Sequence, residues 1–554
     1  MATMRGFVAG AAGSGALERV HHARRPLVKH QTPAQTPTLP PAQTAPSVLR
    51  RLRAFACVLL GAAMLMSTAI AGGRPSMFFD TDGYYLMGEN LTQAIKRLPA
   101  AWAGDPKAMT TPVSDDDQID IAIMGSRSPW YGLPLYVLVK LGGVWALVAA
   151  QALLASWIVY LAWRSAAPTA PWWSYPVLMA GLTLATPLPF FTTFVMPDVF
   201  AGVAAVGFVL LTVYAERLSW LERAGVFALL AFSYVVHTSH MLTALAALVP
   251  ALIVLLLLKA PRRQALVGIG LGLGAIVASV LMAKAYDAAF EMRTGHALHR
   301  PPFLMARVLA DGPGRTYMRK VCKGPDNPYV ICRATQAPLT RSDDILWEET
   351  PTLGAFNSLK VPALQLRMEA EEMAFVKGAV LNDPWGQFKA SMGNWIDQFT
   401  RISSHDPLRD PRQFLANEYW KTTRLVDLIP NPRACRPIGP GCTPPFDMSL
   451  TKHWHELVLL LCALYGGWRL SRPDVLADLK ARSWTRPSVP LIAAGAILIG
   501  MVVLNAGVCG VLSGAFARYQ ARIVWLVPLT VGLMILAIGP GFTVPRRRAS
   551  AKAA

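Results

Sequence analysis

Long runs without a single charge constrain this chain more than any other feature. Residues 54–71, 143–163, 199–215, 241–258, 265–283, 489–506 and 523–539 contain no Asp, Glu, Lys or Arg. A helix of about 20 apolar residues matches the hydrocarbon thickness of a bilayer. Helices also satisfy every backbone N–H and C=O within one segment, as lipid requires. Only 16% of the 554 residues are charged and 53% are hydrophobic, whereas a soluble chain carries about 25% charged residues. That balance excludes a string of soluble domains. It also excludes a disordered or collagen-like chain, despite 43 Pro and 42 Gly. The expected fold class is an all-α polytopic membrane protein.

Apolar stretches at 173–186, 226–236 and 454–468 raise the expected number of spans to ten. The run 226–236 is short for a crossing and reads as part of a helix starting near Ser219. The net charge is +20, from 53 Lys+Arg against 33 Asp+Glu. These charges sort to one side. Loops after alternate spans hold Arg164; Arg217 and Arg223; Lys259, Arg262 and Arg263; and Arg469, Arg472, Lys480, Arg482 and Arg486. The tail adds Arg546, Arg547 and Arg548, and only Arg518 breaks the pattern. This is the positive-inside distribution, and it predicts that both termini are cytoplasmic. No basic–aromatic module accompanies the charge, so nucleic acid is not an expected partner.

The organisation follows. Residues 1–53 read as a disordered basic N-terminus. Residues 54–283 form a first membrane module, with its first span at 54–71 (a cleaved signal is the alternative) and an outer loop at 73–129. Residues 284–451 form a mostly helical insertion outside the membrane. Within it, amphipathic patterns at 364–381 and 385–402 break at Pro384. Residues 452–540 carry the last spans, and 541–554 are a basic tail. Cys57, Cys462 and Cys509 fall in or beside spans, while Cys322, Cys332, Cys435 and Cys442 all fall in the insertion. In an oxidising compartment these four suggest two disulfides. Four cysteines allow three connectivities, of which proximity favours Cys322–Cys332 with Cys435–Cys442. A zinc site is the rival, but no Cys-x-x-Cys spacing supports it.

Ionisable groups at span edges are costly and usually functional. Four such sites map to the outer side: Phe79-Asp80-Thr81-Asp82-Gly83-Tyr84, Met196-Pro197-Asp198, His237-Thr238-Ser239-His240 and Arg518-Tyr519-Gln520-Ala521-Arg522. Singly, each has a plain explanation. Asp80 and Asp82 could be solvated loop acids, Asp198 a helix N-cap, the histidines interfacial, and the arginines headgroup contacts. Together they offer a base, a second acid, polar contacts and two guanidinium forks suited to phosphate.

At these residues the chain resembles the GT-C superfamily of integral-membrane glycosyltransferases, which includes protein mannosyltransferases and bacterial lipid A aminoarabinose transferases. Asp80 stands four residues before Tyr84 after the first span, as the family acid does, and Asp82 takes the place of the adjacent acid at a shifted position. The Pro197-Asp198 pair at a later span edge is also similar. The resemblance implies a polyprenyl-phosphate sugar donor, a bilayer location in the bacterial inner membrane, and a glycan, lipid or protein acceptor. It implies Asp80 as general base, aided by Asp198. Arg518 and Arg522 would bind the donor phosphate, and Asp82, Tyr84, His237 and His240 would contact substrate. Some branches use a metal between the acids and the phosphate. A lipid-monophosphate donor needs one less, so no cofactor is expected to be required. The insertion carries no assignable motif. The rival functions are a transporter or flippase, a polysaccharide polymerase or ligase, and a noncatalytic assembly protein.

Overall fold

Each uncharged run becomes helix. The computed structural model describes residues 47–102, 127–294, 298–323, 327–334, 336–408, 428 and 446–539. Among the described residues every regular element is helical, and one isolated bridge pairs Ser76 with Phe194. The main helices are α1 (Ser47–Leu65), α2 (Asp80–Trp102), α3 (Pro129–Ala166), α4 (Ser174–Ala185), α5 (Val199–Thr212), α6 (Trp220–Val235), α7 (Thr238–Leu257) and α8 (Arg262–Thr294). There follow α9 (Phe303–Asp311), α10 (Ser342–Trp347), α11 (Pro362–Asn382), α12 (Pro384–Thr400), α13 (Met448–Leu470), α14 (Ser488–Leu512), α15 (Ala517–Val524) and α16 (Leu526–Ile538). Among the described residues five segments are long and apolar enough to cross a membrane: Pro129–Ala166, Thr238–Leu257, Arg262–Met292, Ser488–Leu512 and Ala517–Ile538.

The expected boundaries hold in places and move in others. Helix α6 begins beside Ser219, whose side chain accepts the Glu222 N–H while Glu222 accepts the Ser219 N–H, a reciprocal cap. The run 54–71 is interrupted at Met66, where α1 gives way to a short helix, Ser67–Ala71. The stretch 73–129 is not simply a loop. Helix α2 starts at Asp80, and α3 starts at Pro129 and breaks at Gly142–Gly143 before its apolar run. The α2 pattern is too polar to announce itself by hydropathy. It is held instead by contact: a Cβ on Gly88 would stand 1.9 Å from the Gly132 carbonyl oxygen, and one on Gly132 would stand 2.3 Å from that of Tyr84. The two backbones touch, which only glycine permits.

Helix α5 sits at the centre, with all of its residues buried. A helix apolar on every face must be covered on every face, by lipid or by other helices, and here other helices cover it. Several arginines that the sequence sorts to one side tie helix ends together. Arg164 pairs with Glu222 at 2.8 Å, and Arg486 with Asp478 at 3.1 Å. Arg469 pairs with Asp474 at 2.7 Å and donates to the Ile538 carbonyl at the end of α16.

A second hydrophobic core lies in the insertion, around Met305, Leu309, Ile331, Ile345, Phe356 and Phe375. Glu372 on α11 accepts the N–H groups of Leu304 (2.7 Å) and Met305 (3.2 Å), and so caps α9. Burial pushes the Glu372 carboxyl above its ordinary range, against those two hydrogen bonds. Pro384 separates α11 from α12 as expected; Asp383 accepts the Gly386 N–H at 2.8 Å and Pro384 fills the first helical position. Cys322 and Cys332 form a disulfide, and Cys57, Cys462 and Cys509 are free. The expected Cys435–Cys442 pair lies outside the described residues. The Cys322–Cys332 bridge closes a loop with a sequence separation of 10. Replacing Cys322 with Ser should therefore destabilise the insertion by about 3 kcal/mol, read as a lowered melting temperature. Peptide mapping without reduction should recover the 322–332 pair from the wild type.

Candidate functional site

The two acidic motifs meet because their approach segments pair. Ser76 N–H donates to Thr193 O at 3.2 Å, and Val195 N–H donates to Ser76 O at 2.9 Å. The Thr81 hydroxyl then donates to Val195 O at 2.9 Å and receives the Phe78 N–H at 3.1 Å. This short ladder fixes the start of α2, with Asp80, beside the segment that leads into Asp198.

Asp80 is the first residue of α2, where the helix dipole favours an acid. It is gripped by two guanidinium groups. Arg127 donates from Nη2 to Asp80 Oδ1, and Arg518 Nη2 stands 3.6 Å from Oδ2, an ion pair too long for a hydrogen bond. The Arg518 guanidinium lies 4.2 Å from the Phe78 ring centroid and 5.2 Å from that of Tyr519. It is nine-tenths buried. Its Nη1 has no hydrogen-bond partner among the described residues.

Asp198 and Arg522 form the second pair, at 3.1 Å, with side chains 2% and 0% exposed. Asp198 stands at the N-cap position of α5, yet its side chain makes no cap bond there. Satisfying a fully buried guanidinium outweighs capping one N–H. Arg522 Nη2 donates to Ser239 Oγ at 2.8 Å and approaches Cys509 Sγ at 3.5 Å. Ser239 Oγ in turn lies 2.8 Å from His237 Nδ1, which also accepts the Ser239 N–H. His240 stacks on His237 at 4.9 Å, and its Nδ1 pairs with Ser233 O at 3.0 Å. Its Nε2 is buried without a partner among the described residues.

The pairs form one cluster. Arg518 and Arg522 lie one turn apart on α15, and both face the Tyr519 ring. Tyr84 is buried edge-on to Tyr131 and feels the charges of Asp80, Asp198, Arg127 and Arg518. Asp82 is half-buried on the first turn of the same helix as Asp80. Helical residues two apart do not face each other, so the two acids are not a facing pair.

The insertion contributes to the same place. Arg127 lies 5.8 Å from the Trp347 ring centroid on α10. Asp343, one turn earlier on α10, feels both Arg518 and Asp80. Arg518 also feels Asp406, which lies in the short helix His405–Leu408. Burial raises the Asp343 carboxyl above its usual range, with Arg518 and Arg341 pulling the other way. Arg127, Trp347 and Asp343 were not singled out from sequence, and Ser239 and Tyr519 stood inside named motifs without a role of their own. Arg127 had a readable signal, an arginine just before the helix start at Pro129. The α10 residues had none, because nothing local links them to positions two hundred residues away.

The chain matches no family model, no curated protein and no solved structure.

Two outcomes are expected. Asp198→Asn strands a buried guanidinium and should cost about 3–5 kcal/mol, whereas the paired change Asp198→Leu with Arg522→Met should recover most of the loss in a thermal-shift assay. Asp343 is different, because its folded-state carboxyl titrates above the unfolded value of about 3.9. Ionising it costs stability as pH rises past that point. Asp343→Asn should therefore stabilise the protein at pH 7, and the gain should vanish below pH ~4.

Proposed function

We propose that this chain is an integral-membrane glycosyltransferase of GT-C type. In this reading ten spans place both termini in the cytoplasm of a bacterial inner membrane, and the cluster opens on the periplasmic face. The donor is a sugar on a polyprenyl phosphate, and the acceptor hydroxyl belongs to a glycan, lipid or protein. The observation that carries the reading is the pairing of Asp80 with Arg518, whose Nη1 is buried and has no partner among the described residues. An acid and an unspent guanidinium side by side are what transfer from a phosphate leaving group requires.

The donor phosphate binds Arg518, using Nη1 and competing with Asp80 for the fork. Phe78 and Tyr519 hold the guanidinium plane in place. Asp80 Oδ2, released from Arg518, accepts the proton of the acceptor hydroxyl. The acceptor oxygen attacks the anomeric carbon, the bond to the phosphate oxygen breaks, and the electron pair leaves with the phosphate. The configuration inverts. Arg127 keeps Asp80 oriented through Oδ1. Arg522 is spent on Asp198 and Ser239, so its part is to fix Asp198 and the histidine segment rather than to meet the phosphate. Two guanidinium groups beside Asp80 oppose a divalent cation there. The charge stabilisation a metal supplies elsewhere falls to Arg518.

The test is transfer from a polyprenyl-phosphate sugar by purified protein in detergent. Asp80→Asn should lower turnover by about 10²–10⁴, while the melting temperature falls less than in Asp198→Asn, because Asp80 and its two arginines keep access to water. Arg518→Ala should weaken donor binding and turnover together, and Arg518→Lys should restore only part, since an ammonium lacks the fork. Full activity of Asp80→Asn would overturn the base assignment. Movement of the intact lipid-linked sugar across liposomes, without transfer, would assign the chain to the flippases.

A further inference from the structure

Helix α12 is amphipathic the wrong way round for a helix facing water. Its polar side points inward and is hydrogen-bonded, with only the Gln387 Oε1 on that side buried without a partner among the described residues. Gln387 and Asn394 donate to Asp311 at 2.7 and 2.8 Å. Gln398 donates to Phe516 O and accepts the Phe516 N–H, each at 2.9 Å. Its apolar side points outward. Trp385, Phe388, Ile396 and Phe399 are 63%, 52%, 68% and 44% exposed, with Met392 between them. The spacing is three, four, four and three residues, one stripe along the helix.

The position of α12 says what covers that stripe. The helix packs on α14, one of the segments apolar and long enough to cross a membrane. The Trp395 indole N–H donates to the Val503 carbonyl at 3.0 Å. Val503 lies nine residues before the end of α14 at Leu512, roughly 14 Å along the helix axis. The backbones also meet: a Cβ on Gly510 would stand 2.5 Å from Asn394 O. The Trp395 side chain reaches well inside the span while the backbones meet two residues from its end, so α12 lies at the edge of the bilayer and its outward face continues the lipid-facing surface of that span. Lys389 stands 5.7 Å from the Trp385 ring centroid. Such a Trp–Lys pair suits the headgroup boundary, with the ring in the interface and the ammonium in water.

We infer that α12 is an interfacial membrane helix, and that its Trp385, Phe388, Met392, Ile396 and Phe399 face seats among the acyl chains of the leaflet beside α14. The inference rests on α14 crossing the bilayer and not on glycosyl transfer, so the two can fail separately. As a consequence, the insertion is fastened to the membrane through α12 as well as through its chain ends. Gln398 carries that seat directly to the segment that begins the arginine helix α15.

The experiment places p-benzoylphenylalanine at Phe388 or at Ile396 in the full chain, in native membranes, and identifies the photoproducts by mass. Val249, exposed on α7, serves as the lipid-facing control, and Lys360, exposed in the insertion, as the water-facing one. Phospholipid adducts are expected at 388 and 396 at the level of 249, and about ten-fold above 360. Using two separate exposed positions guards against one variant failing to fold. Adducts at 249 with none at 388 and 396 would overturn the inference. Crosslinks from 388 and 396 to polypeptide alone would also overturn it and give the stripe to a protein partner.

Discussion

A fully buried ion pair, Asp198 with Arg522, is the constraint on which the rest of this structure turns. Taking an arginine wholly out of water costs several kcal/mol unless the protein returns its hydrogen bonds. Here the return comes from three separate pieces of chain: Asp198 at the start of α5, Ser239 at the start of α7 and Cys509 near the end of α14. The two terminal nitrogens of the guanidinium therefore find their partners only when α5, α7, α14 and α15 are all in register. The pair is a poor source of net stability by itself, because apolar side chains could fill its space. Its value is that any displaced arrangement leaves a charge stranded.

The same helix explains why two arginines one turn apart take different roles. Arg522 points into the bundle and is consumed there. Arg518 points toward the start of α2, where it meets the Phe78 ring and the flank of Asp80 without a hydrogen bond to the carboxylate. Arg522, whose terminal nitrogens are held by Asp198 and Ser239, thus sets the orientation of a neighbour that packs against rings and keeps a terminal donor, Nη1, without a partner among the described residues; the Arg522 Nε is likewise buried without one. Under the proposed function this is the preorganisation that transfer from a lipid phosphate calls for. Under a transport reading the same reserve would serve to hold the anion and release it.

Much of this was legible in the sequence, for physical reasons that differ by element. The uncharged runs had to become helix, since lipid leaves the backbone no other partner, and each of them did. Pro384 had to end a helix, and it did. The polar motifs at 80, 198, 237–240 and 518–522 were visible because charge near an apolar run stands out. Helix α2 was not, because its stability comes from a glycine-mediated contact with α3 and not from its own hydropathy. A helix cap was the plain alternative for the Asp198 side chain; in the structure that side chain is a counter-ion, a pairing that depends on a residue 324 positions away. The insertion carried no motif, yet Trp347 and Asp343 reach the cluster. Contacts made at that sequence distance leave no local pattern to read.

What the insertion adds follows from where its two ends of influence fall. At one end α10 sets Trp347 beside Arg127 and brings Asp343 near Arg518, so the insertion faces the charged cluster. At the other, Gln398 on α12 holds both backbone groups of Phe516, and the Phe516 ring lies edge-on to Tyr519 at 5.6 Å. Phe516 is the residue just before α15, so α12 fixes the start of the helix that carries both arginines. A side-chain amide that replaces a backbone pair leaves that start little freedom to swing. With α12 seated in lipid, the depth of the arginines relative to the bilayer is set from outside the bundle as well as from within it. Under the proposed function the donor phosphate is met at one depth, and a helix anchored in the same leaflet would provide that reference.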